Sequence, residues 1–197
     1  MSGKKKTKKP PIDNATVLER LERARDGQLL MSIRRWIPYS ERLDGFVTGI
    51  GTDWIAVAQH RDSGSYDGWC VVRLKDIQAV RIEPDQDCFE IRALKAWEQW
   101  PPPAVALDLD GLGGLVASAN EIRPIISVFT EFDRPDSCWI GAVRSLEADT
   151  LRLSEITVKA AWEGEPRHFD VEDITRIDIG GGYEDSLLLV AGPPPED

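Results

Sequence analysis

The feature that most constrains the fold is an internal repeat at a spacing of 95 to 97 residues. Apolar positions recur as apolar positions, and glycines and aspartates stay in register. The spacing grows by single residues along the chain, so the insertions can fall in loops. The matched positions are Met31, Ile33 and Ile37 with Ile126, Val128 and Phe132; Gly45, Val47, Ile55 and Val57 with Gly141, Val143, Leu151 and Leu153; and Val72, Leu74, Asp76, Ile77, Val80 and Ile82 with Phe169, Val171, Asp173, Ile174, Ile177 and Ile179. The chain is therefore expected to fold as two copies of one small unit.

The first copy begins with a helix and continues with strands. Thr16 and Glu19 form a candidate capping box, with Asn14 as a competing cap, and Gly27 is a suitable end. After Gly27 the apolar spacing becomes alternating, which is typical of half-buried strands. The predicted strands are 31–37, 43–50, 54–59, 69–74 and 77–82.

The second copy repeats this programme. Asp110 can cap a helix in which Leu112, Leu115, Val116 and Ala119 lie on one face. The predicted strands are 124–132, 139–146, 150–157, 166–171 and 174–179. The sequence thus predicts a mainly β protein with short helices.

Proline and charge mark the boundaries between the parts. Pro101-Pro102-Pro103 separates the two copies, since prolines stop any preceding helix. The expected organisation is a disordered basic tail over 1–12, a first unit over 13–100, a linker over 101–107 and a second unit over 108–197.

Two short motifs occur in both copies. Gly45-Phe46-Val47 and Gly141-Ala142-Val143 open a strand, while Leu74-Lys75-Asp76-Ile77 and Val171-Glu172-Asp173-Ile174 form a tight link before the last strand. In these features the chain resembles the Sm-like proteins, a variety of SH3-like barrel. The resemblance implies two tandem small barrels, each a helix followed by five antiparallel strands.

The RNA-binding signature of Sm proteins is missing from both copies. Their first motif carries Asp-x-apolar-Asn, but the corresponding regions here, Thr52–Ile55 and Ala148–Leu151, have an aspartate and no asparagine. Their second motif carries Arg-Gly, which is absent from Asp67–Cys70 and Gly164–Arg167. The segment from Asp173 to Asp185 is similar to segments of uncharacterised bacterial proteins, and that similarity implies no activity.

The charge is distributed unevenly along the chain. Five lysines, Lys4, Lys5, Lys6, Lys8 and Lys9, precede the first acidic residue, and the remainder has 19 basic and 34 acidic residues, a net charge of −15. An acidic body repels phosphate backbones, so nucleic acid is not expected as its main partner. A factor that contacts nucleic acid through the lysines and one barrel face is the alternative hypothesis. No apolar run is long enough to span a membrane, and a cytoplasmic location is expected.

The reactive residue types form no recognisable catalytic or metal-binding pattern. Cys70, Cys88 and Cys138 are widely spaced and are expected to be reduced and at least half buried. His60 and His168 occupy non-equivalent positions and are expected at the surface. These observations predict a non-enzymatic protein with no cofactor and no metal.

The seven tryptophans are the strongest remaining indication of function. Trp54 alternates with Ile55 and Val57 and is therefore expected to point outward. Outward aromatic side chains are typical of protein-contact surfaces. Trp54, Trp69 and Trp162 are the candidate contact residues of a protein-interaction module, a class that includes immunity-type and regulatory binding proteins. Its partner and its oligomeric state are left open.

Overall fold

The computed structural model describes residues 13–195 and contains four helices and ten strands. The basic tail predicted over residues 1–12 lies outside the described residues. The helices are α1 (Asn14–Asp26), α2 (Phe89–Ala96), α3 (Leu112–Ile122) and α4 (Gly182–Ala191). The strands are β1 (Leu30–Arg35), β2 (Leu43–Ile50), β3 (Trp54–His60), β4 (Tyr66–Arg73), β5 (Ile77–Ile82), β6 (Ile126–Phe129), β7 (Trp139–Glu147), β8 (Thr150–Glu155), β9 (Arg167–Asp170) and β10 (Arg176–Ile179).

All ten strands belong to one open antiparallel sheet. Their order is β5-β1-β2-β3-β4-β10-β6-β7-β8-β9. We call the part from α1 to α2 the first half and the part from α3 to α4 the second half. Each half has the same internal strand order, fifth, first, second, third and fourth. The prediction of a mainly β protein with short helices is confirmed; the strand ladders show a continuous open sheet, and the two-barrel architecture stays a prediction.

Local irregularities of the backbone recur in the two halves. The β2·β3 ladder shifts register between Val47 and Gly49, and the β7·β8 ladder does so between Val143 and Ser145. These are equivalent β-bulges, and a bulge bends its strand and increases the local twist. Each half also contains a one-turn 3-10 helix before its last strand, Leu74–Asp76 and Val171–Asp173. We call these the first and the second tight link.

The glycines near the start of β2 and β7 are required for the same steric reason. A Cβ atom at Gly45 would lie 2.3 Å from the carbonyl oxygen of Ala58, and one at Gly141 would lie 1.9 Å from that of Ser154. Neither approach is open to a residue with a side chain, because the obstructing atoms are backbone. The Gly-x-Val motif therefore reports a close backbone approach of β2 to β3 and of β7 to β8.

The two faces of β3 and β4 pack into different hydrophobic cores. Ile55, Val57 and Val72 face α1 in the core of the first half. Trp54 and Val71, on the opposite face, join the core of the second half, which α3 covers. The first half is therefore buried on both sides of its sheet, and one of those sides is closed by the second half.

Helices α2 and α4 cover the outer side of each half in equivalent ways. Ile91 and Leu94 of α2 pack on Leu30 and Phe46. Leu187 of α4 packs in the same way on its neighbouring apolar side chains Ile125, Ile140, Ala142 and Ile156. A helix over 182–191 is not among the elements expected from the sequence. Its signals are Glu184 and Asp185 in the first turn, which favour a helix N-terminus.

The two halves are joined by the β4·β10 ladder, which we call the seam. Trp69 pairs with Ile179 and Val72 with Arg176, so the fourth strand of one half is hydrogen-bonded to the fifth strand of the other. Gly68, with φ of 77°, begins this ladder, and a Cβ atom there would lie 2.3 Å from the carbonyl oxygen of Ile179. A side chain at position 68 would thus separate the strands at the start of the seam.

A buried ion pair joins the two halves at a second place. Arg35 and Glu131 form a bidentate pair, with 2.6 Å from Arg35 Nη2 to Glu131 Oε1, and their side chains are 0% and 5% exposed. Thr175 Oγ1 donates to the same carboxylate at 2.7 Å. Burial alone would raise the pKa of Glu131, but the Arg35 guanidinium outweighs it and holds that pKa below its ordinary value. In the strand order β1 and β6 are separated by four strands, about 24 Å in a flat sheet, so this contact requires strong curvature.

The helix caps, and the burial of one matched pair of core positions, differ from what the sequence predicts. Asp13, not Thr16 or Asn14, caps α1, by accepting from Thr16 N at 2.9 Å. Gly111 precedes α3, and the Asp110 carboxylate accepts from Thr52 N at 2.8 Å instead of capping the helix. The predicted equivalence in burial holds for Ile55, Val57 and Val72 with Leu151, Leu153 and Phe169, whereas Val47 is buried and Val143 only partly so.

Truncation of the equivalent core residues should be costly in both halves. Val72→Ala and Phe169→Ala each remove side-chain atoms from a packed core and are expected to lower the free energy of unfolding by about 2–5 kcal/mol. Denaturant titration of each variant measures this change. A loss below about 1 kcal/mol at either position would contradict the assigned register.

Breaking the buried pair should be worse than replacing it. Glu131→Ala leaves the Arg35 guanidinium buried without its partner and should cost about 3–5 kcal/mol, while Arg35→Met with Glu131→Leu should recover most of that loss. Because the folded-state pKa of Glu131 is lowered, the stabilisation is complete above about pH 5 and is lost as the pH falls through that pKa. Asp44→Ala, at the exposed Arg42–Asp44 pair, is the control and should change stability by less than about 1 kcal/mol.

Candidate interaction surface

Trp54 points away from the core of its own half, as the alternation predicts, but it is not exposed. Its side chain is 4% exposed because it packs against Leu109, Leu115 and Val116 of the second half. The expectation that Trp54 is available to a partner protein is therefore wrong. The alternation predicts the correct face, and the second half covers that face.

Trp69 and Trp162 are also engaged within the chain. Trp69 is partly buried, and its indole Nε1 donates to the carbonyl oxygen of Pro103 at 3.3 Å. Trp162 is partly buried against the apolar cluster under α4, and its indole Nε1 is buried with no hydrogen-bond partner. The structure thus brings none of the three predicted tryptophans into a common surface.

Three other aromatic residues are exposed in the two loops that follow the first strand of each half. Trp36 is 60% exposed, Tyr39 89% and Phe132 53%. We call Trp36, Tyr39 and Phe132 the aromatic surface. Phe132 was expected to match the inward Ile37, which is 5% exposed, and this expectation is wrong, because β6 ends at Phe129 and the chain turns before Phe132.

Arg73 links the two loops of the aromatic surface. Its Nε donates to Asp76 Oδ2 at 2.5 Å, and its guanidinium lies 5.8 Å from the centre of the Phe132 ring. The carbonyl oxygen of Asp76 accepts from Trp36 N at 2.7 Å. The side chains of Arg73 and Asp76 are nearly buried, so the exposed residues Trp36 and Phe132 both contact a buried ion pair.

Arg73 also lines a cavity of about 530 Å³. It lies between α1, the β2–β3 loop, both tight links and the beginning of α3. The apolar part of its lining is formed by Val17, Leu18, Trp54, Leu74, Leu112 and Val171. Its size and mainly apolar lining are those of a small-ligand or side-chain pocket. We call it the apolar cavity.

Backbone hydrogen bonds fix the walls of the apolar cavity. The carbonyl oxygen of Leu109 accepts from Trp54 N at 3.0 Å and from Asp53 N at 3.3 Å. The carbonyl oxygen of Asp53 accepts in turn from Leu74 N, the first residue of the first tight link, at 2.8 Å. The β2–β3 loop is thereby tied to both halves, and the cavity is preformed.

Charged groups lie around the apolar cavity. Arg73 Nη1 donates to the carbonyl oxygen of Glu172 at 2.8 Å, while Asp53, Lys75 and Glu172 are exposed around it. Among residues 13–195, no group of three or more His, Cys, Asp or Glu side chains is placed to hold a metal ion.

The cysteines and histidines lie apart from this surface. Cys70 is buried, and burial raises the pKa of its thiol well above the ordinary value. Cys88 is partly buried, but Cys138 is exposed, contrary to expectation. His168 is exposed as predicted, and His60 is partly buried at the end of β3.

No protein-family model matches the sequence, and a search of the curated proteins finds no match. Within residues 13–195 no helix has both the length and the apolar composition required to cross a bilayer. The function must therefore be argued from the surface itself.

Two tryptophans should respond to truncation in opposite ways. Trp54→Ala removes a buried side chain from between the halves and should cost about 3–5 kcal/mol, whereas Trp36→Ala should change stability by less than about 0.5 kcal/mol. Paired denaturant titrations test this. Equal costs at the two positions would show that the aromatic surface is part of the core.

Proposed function

We propose that the protein is a non-enzymatic protein-interaction module that binds a partner through the aromatic surface. The observation that carries this proposal is the exposure of Trp36, Tyr39 and Phe132 in the loops after β1 and β6. The Phe132 ring lies against Arg73, and Arg73 also lines the apolar cavity. Exposed aromatic side chains next to a concave apolar site are typical of binding hot spots, in which an anchor on one protein fills a pocket on the other.

The packing beneath the aromatic surface suits it for binding. The carbonyl oxygen of Asp76 anchors the backbone of Trp36, and the Arg73 guanidinium lies against the ring of Phe132, so the loops that carry both residues are anchored before a partner binds. Such preorganisation lowers the entropic cost of association. Both rings nevertheless remain more than half exposed, so their apolar faces are available to a partner.

We further propose that each half is an Sm-like unit and that the protein acts in the cytoplasm as a regulatory or immunity-type binding protein. The shared strand order, bulges and tight links support the first part. The net charge of −15 beyond the lysine-rich start favours a basic partner, because opposite charge accelerates encounter and discourages acidic competitors.

The alternative of a nucleic-acid-associated factor rests on Lys4, Lys5, Lys6, Lys8 and Lys9. These residues lie outside the described part of the chain. The described part is acidic, so it does not favour a phosphate backbone.

Loss of the exposed rings should abolish partner binding without unfolding the protein. A variant with Trp36→Ser, Tyr39→Ser and Phe132→Ser is expected to lose the stoichiometric partner that crosslinks to the wild type in native extract, with at least a tenfold drop in recovery. Quantitative mass spectrometry of the crosslinked product measures the recovery, and thermal unfolding checks the fold.

Other exposed apolar residues provide a matched control. Trp97 is 62% exposed at the end of α2, and Leu189 is 84% exposed on α4. Trp97→Ser with Leu189→Ser removes similar apolar surface elsewhere and should retain the partner. Equal loss in both variants, or equal retention, would contradict the proposed surface.

A further inference from the structure

The outer edge of β9 is the counterpart of an edge that is paired elsewhere in the same chain. In the first half the fourth strand, β4, carries β10 on its outer side. The fourth strand of the second half is β9, which pairs with β8 and is the last strand of the sheet. Within residues 13–195, β9 has no strand on its other side.

Where the two halves pair, two arginines of the first half donate hydrogen bonds to acceptors of the second half. Arg35 binds the Glu131 carboxylate, and Arg73 donates to the carbonyl oxygen of Glu172 at 2.8 Å. The phenyl ring of Phe132 covers Arg73. The strand addition at β4 is thus accompanied by a charge match between basic groups on the sheet and acceptors on the added segment.

The equivalent positions beside β9 have the opposite character. By the repeat spacing, Arg35 corresponds to Thr130, Arg73 to Asp170 and Asp76 to Asp173. Thr130, Asp170 and Asp173 line one cavity of about 510 Å³ together with Asp133, and all three aspartates are exposed. The two arginines that bind acceptors at β4 are therefore replaced at β9 by a threonine and an aspartate.

The remaining lining of this cavity is compatible with an added strand. Trp139 and Phe169 contact each other edge to face, with 5.2 Å between ring centres, and give the cavity an apolar wall. Arg167 also lines the cavity, but its Nε is paired with Glu155 at 2.6 Å, and its guanidinium lies over Trp139. Arg134 and His168 are the other basic groups of the lining, and the three aspartates have no ion-pair partner among them in the described residues.

We propose that the β9 edge binds an extended, basic segment of a partner protein as an added antiparallel strand. Backbone hydrogen bonds to an open edge supply affinity in such complexes, and side-chain pockets supply specificity. If the segment pairs with β9 in the register that β10 has on β4, a basic side chain of the segment lies near Asp170 and Asp173. An acidic side chain lies opposite Arg167, because Arg167 is the counterpart of Cys70 and Asp178 pairs with Cys70 in the seam. Pro166 has no N–H and limits the ladder to the four residues of β9.

A second copy of the chain is a poorer occupant of this edge. The outer edge of β5 has no neighbouring strand within residues 13–195. In the same register it would place Arg81, the counterpart of Asp178, opposite Arg167, so that like charges face each other. The carbonyl oxygen of Val80, the counterpart of Ile177, already accepts from Arg20 Nη1 at 2.9 Å. A charged side chain on an edge strand of this kind discourages edge-to-edge association.

Peptides based on the strand that pairs with β4 test the proposal. The first peptide is the chain's own sequence 171–180, and the second carries Glu172→Lys and Asp173→Lys in that sequence. Each is titrated into the isotope-labelled full-length protein while amide resonances are followed. We expect the lysine peptide to shift the amides of residues 167–170 and to bind at least about tenfold more tightly than the native peptide.

A charge swap on the protein supplies the decisive control. The variant with Asp170→Lys and Asp173→Lys changes only exposed side chains and should reverse the preference between the two peptides. The proposal is overturned if neither peptide shifts residues 167–170, if the preference survives the swap, or if sedimentation shows dimers that depend on β9. The variant with Trp36→Ser, Tyr39→Ser and Phe132→Ser should bind the lysine peptide normally, so failure here is distinguishable from failure of the aromatic surface.

Discussion

The seam between β4 and β10 is the constraint on which the rest of the structure depends. It turns two five-stranded sheets into one, and it brings the outer faces of β3 and β4 against the core of the second half. Trp54 and Val71 are buried only because this contact exists. The Arg35–Glu131 ion pair joins the two halves at a second place. Separation of the halves would break this pair, and breaking a buried ion pair is strongly destabilising.

The candidate surfaces follow from this arrangement. Residues of both tight links line the apolar cavity. Arg73 donates a hydrogen bond to the carbonyl oxygen of Glu172, and its guanidinium lies against the ring of Phe132. At the other end of the sheet the same strand order recurs, and within residues 13–195 no further strand pairs with β9. The arginines of the first half are replaced there by threonine and aspartate. The duplication thus provides one edge for internal assembly and one edge whose charge suits a different occupant.

Much of the fold could be predicted from the sequence because its signals are local. The strands β2 and β5 occur at the predicted residues, and the repeated Gly45 and Gly141 report a close approach that any residue with a side chain would prevent. Alternation along β3 correctly places Ile55 and Trp54 on opposite faces. What alternation cannot show is that a second sheet covers the outer face, since that depends on contacts between residues more than 50 positions apart. For this reason an exposed Trp54 is the wrong prediction, and a buried Phe132 is wrong because its strand is shorter than the apolar pattern suggests.

Hydrogen exchange of the native protein tests most directly the claim that the two halves form one cooperative structure through the seam. The amides of Trp69 to Val72 and of Arg176 to Ile179 should exchange only through global unfolding, with the same free energy as the central amides of Ile55 and Leu151. Exchange of the seam amides at a clearly lower free energy than these core amides would contradict it, because the halves would then separate while each remained folded.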